Sequence, residues 1–168
     1  MPLDALPGLG PVHLRPIRVD DGPALVRYFE KLTQEDVRLR FFAPLRALTT
    51  RQLKRFTELD SRRETALVLE APEEGRQEIL SVARLAVPPG ENGRAEFAIS
   101  VRSDLKGRGI GRFMLQHLLD QAATRGFSEI FGDILEENEA MLALSRELGF
   151  TLAPVVENAA IIRATRAL

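Results

Sequence analysis

Cysteine is absent from this chain of 168 residues, and histidine, lysine and tyrosine are scarce. Without cysteine the chain can form no disulfide and no thiolate metal site, and it cannot carry an acyl group on a cysteine sulfur. The two histidines, His13 and His117, are too few for a histidine-rich metal centre. We therefore expect no resident metal.

Long apolar runs and an excess of charge of one sign are also missing. No stretch approaches the ~18–20 apolar residues that a membrane span needs, and residues 1–11 lack the basic start of a secretory signal. The net charge of −1 argues against a general nucleic-acid binder. We expect a cytoplasmic protein that binds neither nucleic acid nor membranes. The length predicts a single domain, residues 12–168, after a flexible leader, residues 1–11.

The near-zero total conceals an uneven distribution of charge. Residues 1–63 carry a net charge of +4, residues 64–100 carry −4 and residues 101–168 carry −1. Twenty of the 23 basic residues are arginines. The basic amino-terminal part is either an ordinary solvated surface or a surface that attracts an anionic partner.

Hydrophobic periodicity predicts a mixed α/β domain rather than a regular doubly wound one. In the middle of the chain, short Pro- and Gly-containing turns favour three antiparallel strands. The predicted strands cover residues 12–17, 65–70, 79–87, 94–101, 129–135, 151–155 and 159–164. The predicted helices cover residues 23–32, 33–42, 49–59, 109–125 and 138–148.

A predicted strand, a glycine-rich turn and an amphipathic helix follow one another over residues 94–125. Three glycines occupy alternate positions of the turn: Gly107, Gly109 and Gly111. Their N–H groups and the positive end of the helix dipole suit a pyrophosphate. Three basic residues accompany them: Lys106, Arg108 and Arg112. The spacing fits neither a P-loop nor a dinucleotide fingerprint, and a purely structural turn is the alternative.

The segment Lys106–Gly111 resembles the Arg/Gln-x-x-Gly-x-Gly/Ala motif of the GNAT superfamily of N-acetyltransferases. Further along, Asn138-x-x-Met141-x-x-Leu144 followed by Leu148-Gly149-Phe150 is similar to the second motif of that superfamily. The resemblance covers residues 12–164. It implies the GNAT fold, a mostly antiparallel central sheet of six to seven strands that is flanked by helices and splayed where acetyl-CoA inserts.

The same resemblance implies acetyl-CoA as the co-substrate. The backbone of the glycine turn would hold the pyrophosphate, and the edge of the strand at Ile99–Val101 would pair with the pantetheine arm. The implied binding residues are Ile99, Ser100, Val101, Lys106, Gly107, Arg108, Gly109, Ile110, Gly111, Arg112, Asn138 and Met141. Lys106 replaces the usual Gln or Arg, which matters little where the backbone binds. Asn138 can also be a helix N-cap, and the two roles are compatible.

Family members commonly carry a tyrosine after the leucine of the second motif, where its hydroxyl can protonate the leaving thiolate. This sequence has Ser145 there, and its only tyrosine is Tyr28. Ser145 is therefore a candidate general acid that would act through a water. Protonation is also dispensable, because a thiol with a pKa of ~8.5 is a good leaving group.

Glu96 is the candidate general base. Side chains alternate along the predicted strand, so Glu96 shares one face with the small residues Ala98 and Ser100. An amine that resembles lysine has a pKa of ~10.4 and must lose a proton before it attacks a thioester. Glu96 can take that proton directly or through a water. The alternative is a solvated glutamate without a catalytic role.

Two further segments, Ala95–Val101 and Leu32–Phe42, resemble one GNAT branch most closely. This branch contains the acetyltransferase domains of bacterial protein lysine acetyltransferases, whose catalytic glutamate is matched by Glu96. The branch often has methionine at the position of Met141 and lacks the tyrosine. The resemblance implies direct attack by an amine in a ternary complex, with a protein lysine as the favoured acceptor. The alternatives are a small-molecule amine acceptor and a non-catalytic acyl-CoA-binding regulatory module. A homodimer is compatible with all three.

The arginines of the segment Arg38–Phe42 and the basic residues near position 54 have two interpretations. They can contact an acidic protein surface or the 3′-phosphate of CoA, or they can form a solvated helix face. Phe41 and Phe42 are expected in the core or in a cleft wall.

Overall fold

Residues 6–168 are described by the computed structural model, and their seven strands form one sheet. The strands are β1 (His13–Pro16), β2 (Glu64–Glu73), β3 (Arg76–Ala86), β4 (Arg94–Val101), β5 (Glu129–Leu135), β6 (Thr151–Val155) and β7 (Asn158–Ala167). They lie in the order β1-β2-β3-β4-β5-β7-β6. All neighbouring pairs are antiparallel except β4 and β5. The predicted mixed, mostly antiparallel sheet is thus confirmed.

The parallel pair of β4 and β5 is short. Its pairing runs only from Arg94 opposite Glu129 to Glu96 opposite Phe131, although both strands continue beyond these residues. The carboxyl-terminal halves of the two strands therefore diverge, and one edge of β4 is left without a strand partner there. This is the splay that the family resemblance implied.

Five helices cover the sheet: α1 (Gly22–Glu30), α2 (Gln34–Phe41), α3 (Thr50–Thr57), α4 (Ile110–Thr124) and α5 (Glu139–Glu147). Side-chain caps start two of the short ones. The Thr33 hydroxyl accepts a hydrogen bond from the Asp36 N–H at 3.1 Å. The spacing of Thr49 and Gln52 in the sequence predicts a capping box at the start of α3, and the two residues form it. Such caps satisfy N–H groups that a helix leaves unpaired, and each is worth about 1 kcal/mol.

The core has two parts, one on each face of the sheet. The larger part includes α4, whose Met114, Leu115 and Leu118 are fully buried. Burying one such side chain stabilises the fold by about 1.5–3 kcal/mol. On the opposite face, Leu25 and Tyr28 of α1 pack on the middle of the sheet. The sheet is thereby held between α4 and the group formed by α1, α2 and α3.

The β2–β3 hairpin is tighter than predicted. The strands predicted over residues 65–70 and 79–87 imply a longer turn, whereas the observed strands leave only Glu74 and Gly75 between them. Both have positive φ, 48° and 80°, which suits a two-residue hairpin turn. The longer strands bring Glu73 to the carboxyl end of β4, where its carboxylate accepts a hydrogen bond from Arg102 at 2.8 Å.

The described part of the amino-terminal segment packs against the domain. Residues 1–5 of the predicted leader lie outside the described residues. Leu6 is only 3% exposed and belongs to the larger core together with Val12. Residues 6–11 contain no helix or strand, and the predicted boundary between leader and domain stays a prediction.

Two kinds of feature are missing from the part of the chain that the structure describes. None of its helices is both long and apolar enough to cross a membrane. Within the same residues, no three histidine, aspartate or glutamate side chains are grouped so that they could hold a metal ion.

Candidate active site

A cleft of about 330 Å³ lies at the carboxyl end of β4, between the glycine turn, α2 and the start of α5. Eleven of the twelve predicted acetyl-CoA-binding residues line it. Arg108 is exposed and lies outside this lining. We call this space the cofactor cleft.

The glycine turn lines the cofactor cleft and has a backbone conformation that suits an anion site. Gly107 and Gly109 have φ values of 77° and 83°, which glycine adopts without strain. Open space lies where a Cβ atom of either residue would stand, so a ligand can approach the backbone closely. The 15-residue helix α4 begins directly afterwards, at Ile110. Its unpaired N–H groups and its dipole fit a pyrophosphate.

Two of the predicted positive side chains are already paired. Lys106 donates a hydrogen bond to Asp36 of α2, and Arg112 donates one to Glu147 of α5 at 3.2 Å. Burial works to raise the pKa of Asp36, but hydrogen bonds from Lys106 and Ser103 outweigh it and hold the pKa below its usual range. A phosphate that uses Lys106 must therefore compete with a carboxylate.

The floor of the cofactor cleft is apolar, and sequence reasoning missed part of it. Leu32, which follows α1, and Leu39 of α2 line the cleft. They lie there together with Met141 and Leu144 of α5. This lining fits the apolar part of a pantetheine arm. The short helix α2 has no clear apolar stripe in its sequence. The sequence therefore does not indicate which side of α2 faces the cleft.

The position of Asn138 is compatible with both roles that the sequence allowed. Its side-chain oxygen accepts a hydrogen bond from the Met141 N–H at 3.3 Å, which makes it the N-cap of α5, and the residue also lines the cofactor cleft. Its position is compatible with a contact to acetyl-CoA.

The structure does not bring Ser145 to the cleft. The residue is 0% exposed, and its hydroxyl donates to the Met141 carbonyl oxygen one helical turn earlier at 2.8 Å. A serine on a helix readily makes this bond to its own backbone. The burial and the bond disfavour the predicted role of Ser145 as a general acid.

Tyr28 of α1 contributes a hydroxyl that reaches β4. Its O–H donates to the Ser100 Oγ at 2.7 Å, across 72 positions of sequence. Burial raises the pKa of Tyr28, so the phenol stays protonated as a donor. Ser100 in turn lines the cofactor cleft. Tyr28 therefore positions a cleft residue, a role that nothing in the local sequence around Tyr28 indicates.

Glu96 lies in a second cavity, of about 260 Å³, beside the same strand. We call it the Glu96 cavity. Ala98 also lines it, as the alternation along β4 predicted, and Arg40 and Arg84 enter from α2 and β3. The side chain of Glu96 is exposed and forms no ion pair within residues 6–168. It is thus free to contact a substrate.

The surroundings of Glu96 raise the pKa of its carboxyl group. Partial burial and the nearby Asp133 raise its pKa, while Arg163 and Arg40 oppose that shift. A carboxylate with a raised pKa binds a proton more strongly. Glu96, the predicted base, is the last residue of β4 that pairs with β5, so it lies where the two strands begin to diverge.

The fold and these two cavities define an acyl-CoA-dependent N-acetyltransferase, with a cofactor cleft on a splayed sheet and a carboxylate beside it. A family model described as an acetyltransferase (GNAT) domain matches residues 12–151, and the chain belongs to that family. Members of this family use acetyl-CoA as co-substrate, and the open glycine cradle and the apolar cleft fit it.

Three of the known proteins that are similar to this chain illustrate the relationship. Acetyltransferase PA5475 of Pseudomonas aeruginosa is 26% identical over 139 residues, which cover 83% of this chain and 74% of that protein. The [ribosomal protein bS18]-alanine N-acetyltransferase of Salmonella typhimurium is 39% identical over 62 residues, 37% of this chain and 42% of that one. The crystal structure of the GNAT domain of S. lividans PAT superposes with a TM-score of 0.83 at 27% identity, covering 94% of this chain and 90% of that one.

Proposed function

We propose that this acetyltransferase modifies a lysine side chain of a protein, with Glu96 as the general base. The observation that carries the proposal is the Glu96 cavity, in which an unpaired carboxylate stands beside the small residue Ala98, whose neighbour on β4, Ile99, lines the cofactor cleft. A cavity of about 260 Å³ can admit the end of a lysine side chain. The resemblance of Ala95–Val101 to bacterial protein lysine acetyltransferases supports the same acceptor.

The reaction is a direct transfer. Glu96 takes a proton from the acceptor's ammonium group, and the neutral amine attacks the thioester carbon. A C–N bond forms, the C–S bond breaks, and CoA leaves as a thiolate. The nitrogen gives up its second proton to this thiolate through solvent, so the products are a neutral amide and CoA. Backbone N–H groups near Ile99, on the strand edge that β5 leaves uncovered, would stabilise the negative charge on the carbonyl oxygen. No acyl-cysteine can intervene, because the chain contains no cysteine.

A small-molecule amine is the second candidate acceptor. The Glu96 cavity is bounded on several sides, by α2, α3, β3 and β4, and this enclosure suits a compact substrate. A non-catalytic acyl-CoA-binding module is disfavoured, because such a module would be expected to occlude Glu96, which is exposed here.

An acceptor screen tests the proposal. Acetyl-CoA is incubated with the protein and with purified lysine-containing proteins, free polyamines, amino acids or aminoglycosides, and acetylation is followed by mass spectrometry and by release of free thiol. We expect acetylated lysines on proteins. Acetylation confined to small amines would overturn the choice of acceptor.

Substitution of Glu96 tests the base. We expect Glu96→Gln to lower kcat/KM by about 10²–10⁴-fold at neutral pH, the usual contribution of a general base. Acetyl-CoA should still raise the melting temperature of this variant, because the cofactor cleft is intact. Glu30→Gln, at an exposed position of α1, is the matched control and should turn over normally. Normal turnover by Glu96→Gln would exclude Glu96 as the base.

A further inference from the structure

The Glu96 cavity contains more positive charge than its own carboxylates neutralise. Three arginines and two glutamates line it. Glu64 is paired with Arg55 at 2.6 Å. Among the residues described, neither Arg40 nor Arg84 lies within 4 Å of a carboxylate, and Glu96 is also unpaired. In the described part of the chain, two guanidinium groups and one carboxylate thus face the same space without an ion-pair partner.

The two arginines are held in place by uncharged groups. Arg84 lies on β3 directly opposite Ala98 of β4. Its guanidinium donates to the Phe56 carbonyl oxygen at 2.7 Å and lies over the Phe56 ring at 4.7 Å. Arg40 lies over the ring of its neighbour Phe41 at 4.8 Å. These contacts orient the guanidinium groups but leave most of their N–H donors available for a ligand.

Keeping two like charges together in a half-buried cavity is costly. Burial lowers the pKa of Arg84 to about 10, and repulsion from Arg40 adds to that shift. Burial likewise lowers the pKa of Arg40. A bound anion would remove this cost, and guanidinium groups match the geometry of a carboxylate. The charge pattern therefore points to a ligand that carries an anionic group next to its amine.

We propose that the acceptor of this enzyme carries a carboxylate close to the reacting amine, and that Arg40 and Arg84 bind this carboxylate while Glu96 receives the amine. The inference rests on the proposed function and specifies its substrate. The carboxylate can belong to an acidic residue that flanks a lysine in a protein, or to a free amino acid. Both sources present the same chemistry to the cavity.

Paired acceptors test the proposal and separate the two sources. One pair consists of lysine peptides that differ only in a flanking Asp or Asn. The other consists of a free α-amino acid and its carboxamide. We expect kcat/KM to be at least tenfold higher for the carboxylate member of one pair. Preference within the peptide pair identifies a flanking acidic residue, and preference within the amino-acid pair identifies a free amino acid.

Arginine variants connect the preference to the cavity. Arg40→Gln and Arg84→Gln should reduce the preference about tenfold, whereas Arg62→Gln, on an exposed loop, should retain it. Arg40→Glu should favour a peptide with a flanking Lys over one with a flanking Asp, which provides a second test if Arg84 variants fold poorly. Melting temperatures with and without acetyl-CoA verify folding.

Three outcomes would overturn the inference. Equal rates for acidic and neutral acceptors in the wild-type protein would refute it and leave the proposed function standing. An equal loss of rate on both members of a pair in the arginine variants would also refute it, because Arg40 and Arg84 would then serve only to balance the charge of Glu96. A protein that binds acetyl-CoA but acetylates no amine would refute the proposed function and the inference together.

Discussion

The ring of Phe97 lies against the backbone of Gly132 across the point where β4 and β5 separate. A Cβ atom at position 132 would stand only 2.5 Å from Cε1 of that ring. Phe97 is buried, and Phe150 packs edge-on against it with ring centroids 5.3 Å apart. The ring therefore has little room to move, and β5 requires glycine where the splay begins.

This contact predicts that Gly132→Ala destabilises the fold. The added methyl group must displace the Phe97 ring, and such overpacking costs about 1–3 kcal/mol. For a domain of this size we expect the melting temperature to fall by roughly 3–10 °C. Gly93→Ala is the control, because its Cβ would meet only Ser128 Oγ at an ordinary 3.6 Å. Equal melting temperatures for the two variants would refute this explanation.

The elements that depend on local signals were predictable from the sequence. The capping box of Thr49 and Gln52, the glycine turn before α4 and the bounds of β4 and β5 each follow from a few neighbouring residues. The divergence of β4 and β5 is not encoded in any local pattern, and it was predicted only from the family resemblance.

The contacts between distant segments were not predictable in the same way. Arg40 of α2 and Arg84 of β3 line one cavity, and no periodicity in either segment indicates this. Tyr28 reaches Ser100 only through the packing of α1 on the sheet. The burial of Ser145 was not predictable either, since a motif position does not reveal which way a helix turns its side chain.

Because Asp36 is paired with Lys106, we predict that a substitution of Asp36 increases the affinity for acetyl-CoA. In Asp36→Asn, Lys106 is released to contact a phosphate of acetyl-CoA. Because Lys106 is more than half exposed, the pair is worth only about 0.2–1 kcal/mol, and the expected gain in acetyl-CoA affinity is about threefold. Isothermal titration calorimetry at low and high salt would measure it.

The gain should depend on Lys106. In a Lys106→Met background the additional change Asp36→Asn should leave the affinity unaltered, because no released charge remains to act. A gain of equal size in both backgrounds, or a weaker affinity in the single Asp36 variant, would contradict the competition between Asp36 and the phosphates.

The buried hydroxyl of Ser145 predicts a nearly silent substitution. Ser145→Ala should keep kcat within about twofold, because the bond it removes is a helical side-chain bond of marginal value outside the cleft. Ser100→Ala, which alters the lining of the cofactor cleft, should raise KM for acetyl-CoA roughly fivefold, the equivalent of about 1 kcal/mol. Steady-state kinetics distinguish the two. A tenfold loss of kcat in Ser145→Ala would restore the acid role.

The raised pKa of Glu96 predicts how stability changes with pH. Burial and Asp133 disfavour the ionised side chain in the folded state, so folding is weakened once Glu96 ionises. We expect Glu96→Gln to melt at a higher temperature than wild type at pH 7. This difference should shrink as the pH falls below the folded pKa, and should vanish below the unfolded value of ~4.3. Melting curves between pH 4 and pH 8 measure it.

Glu73 provides a control of opposite sign. Hydrogen bonds from Arg102 lower the pKa of Glu73 to about 2, so its ionised form stabilises the fold above the unfolded pKa of ~4.3. Glu73→Gln should therefore melt below wild type at pH 7, and the gap should close as the pH falls from about 4.5 towards 2. Opposite trends for Glu96→Gln and Glu73→Gln would show that the two carboxylates have different functions. Glu73 would hold the end of β4 in place, and Glu96 would be kept at some cost to stability because it accepts a proton.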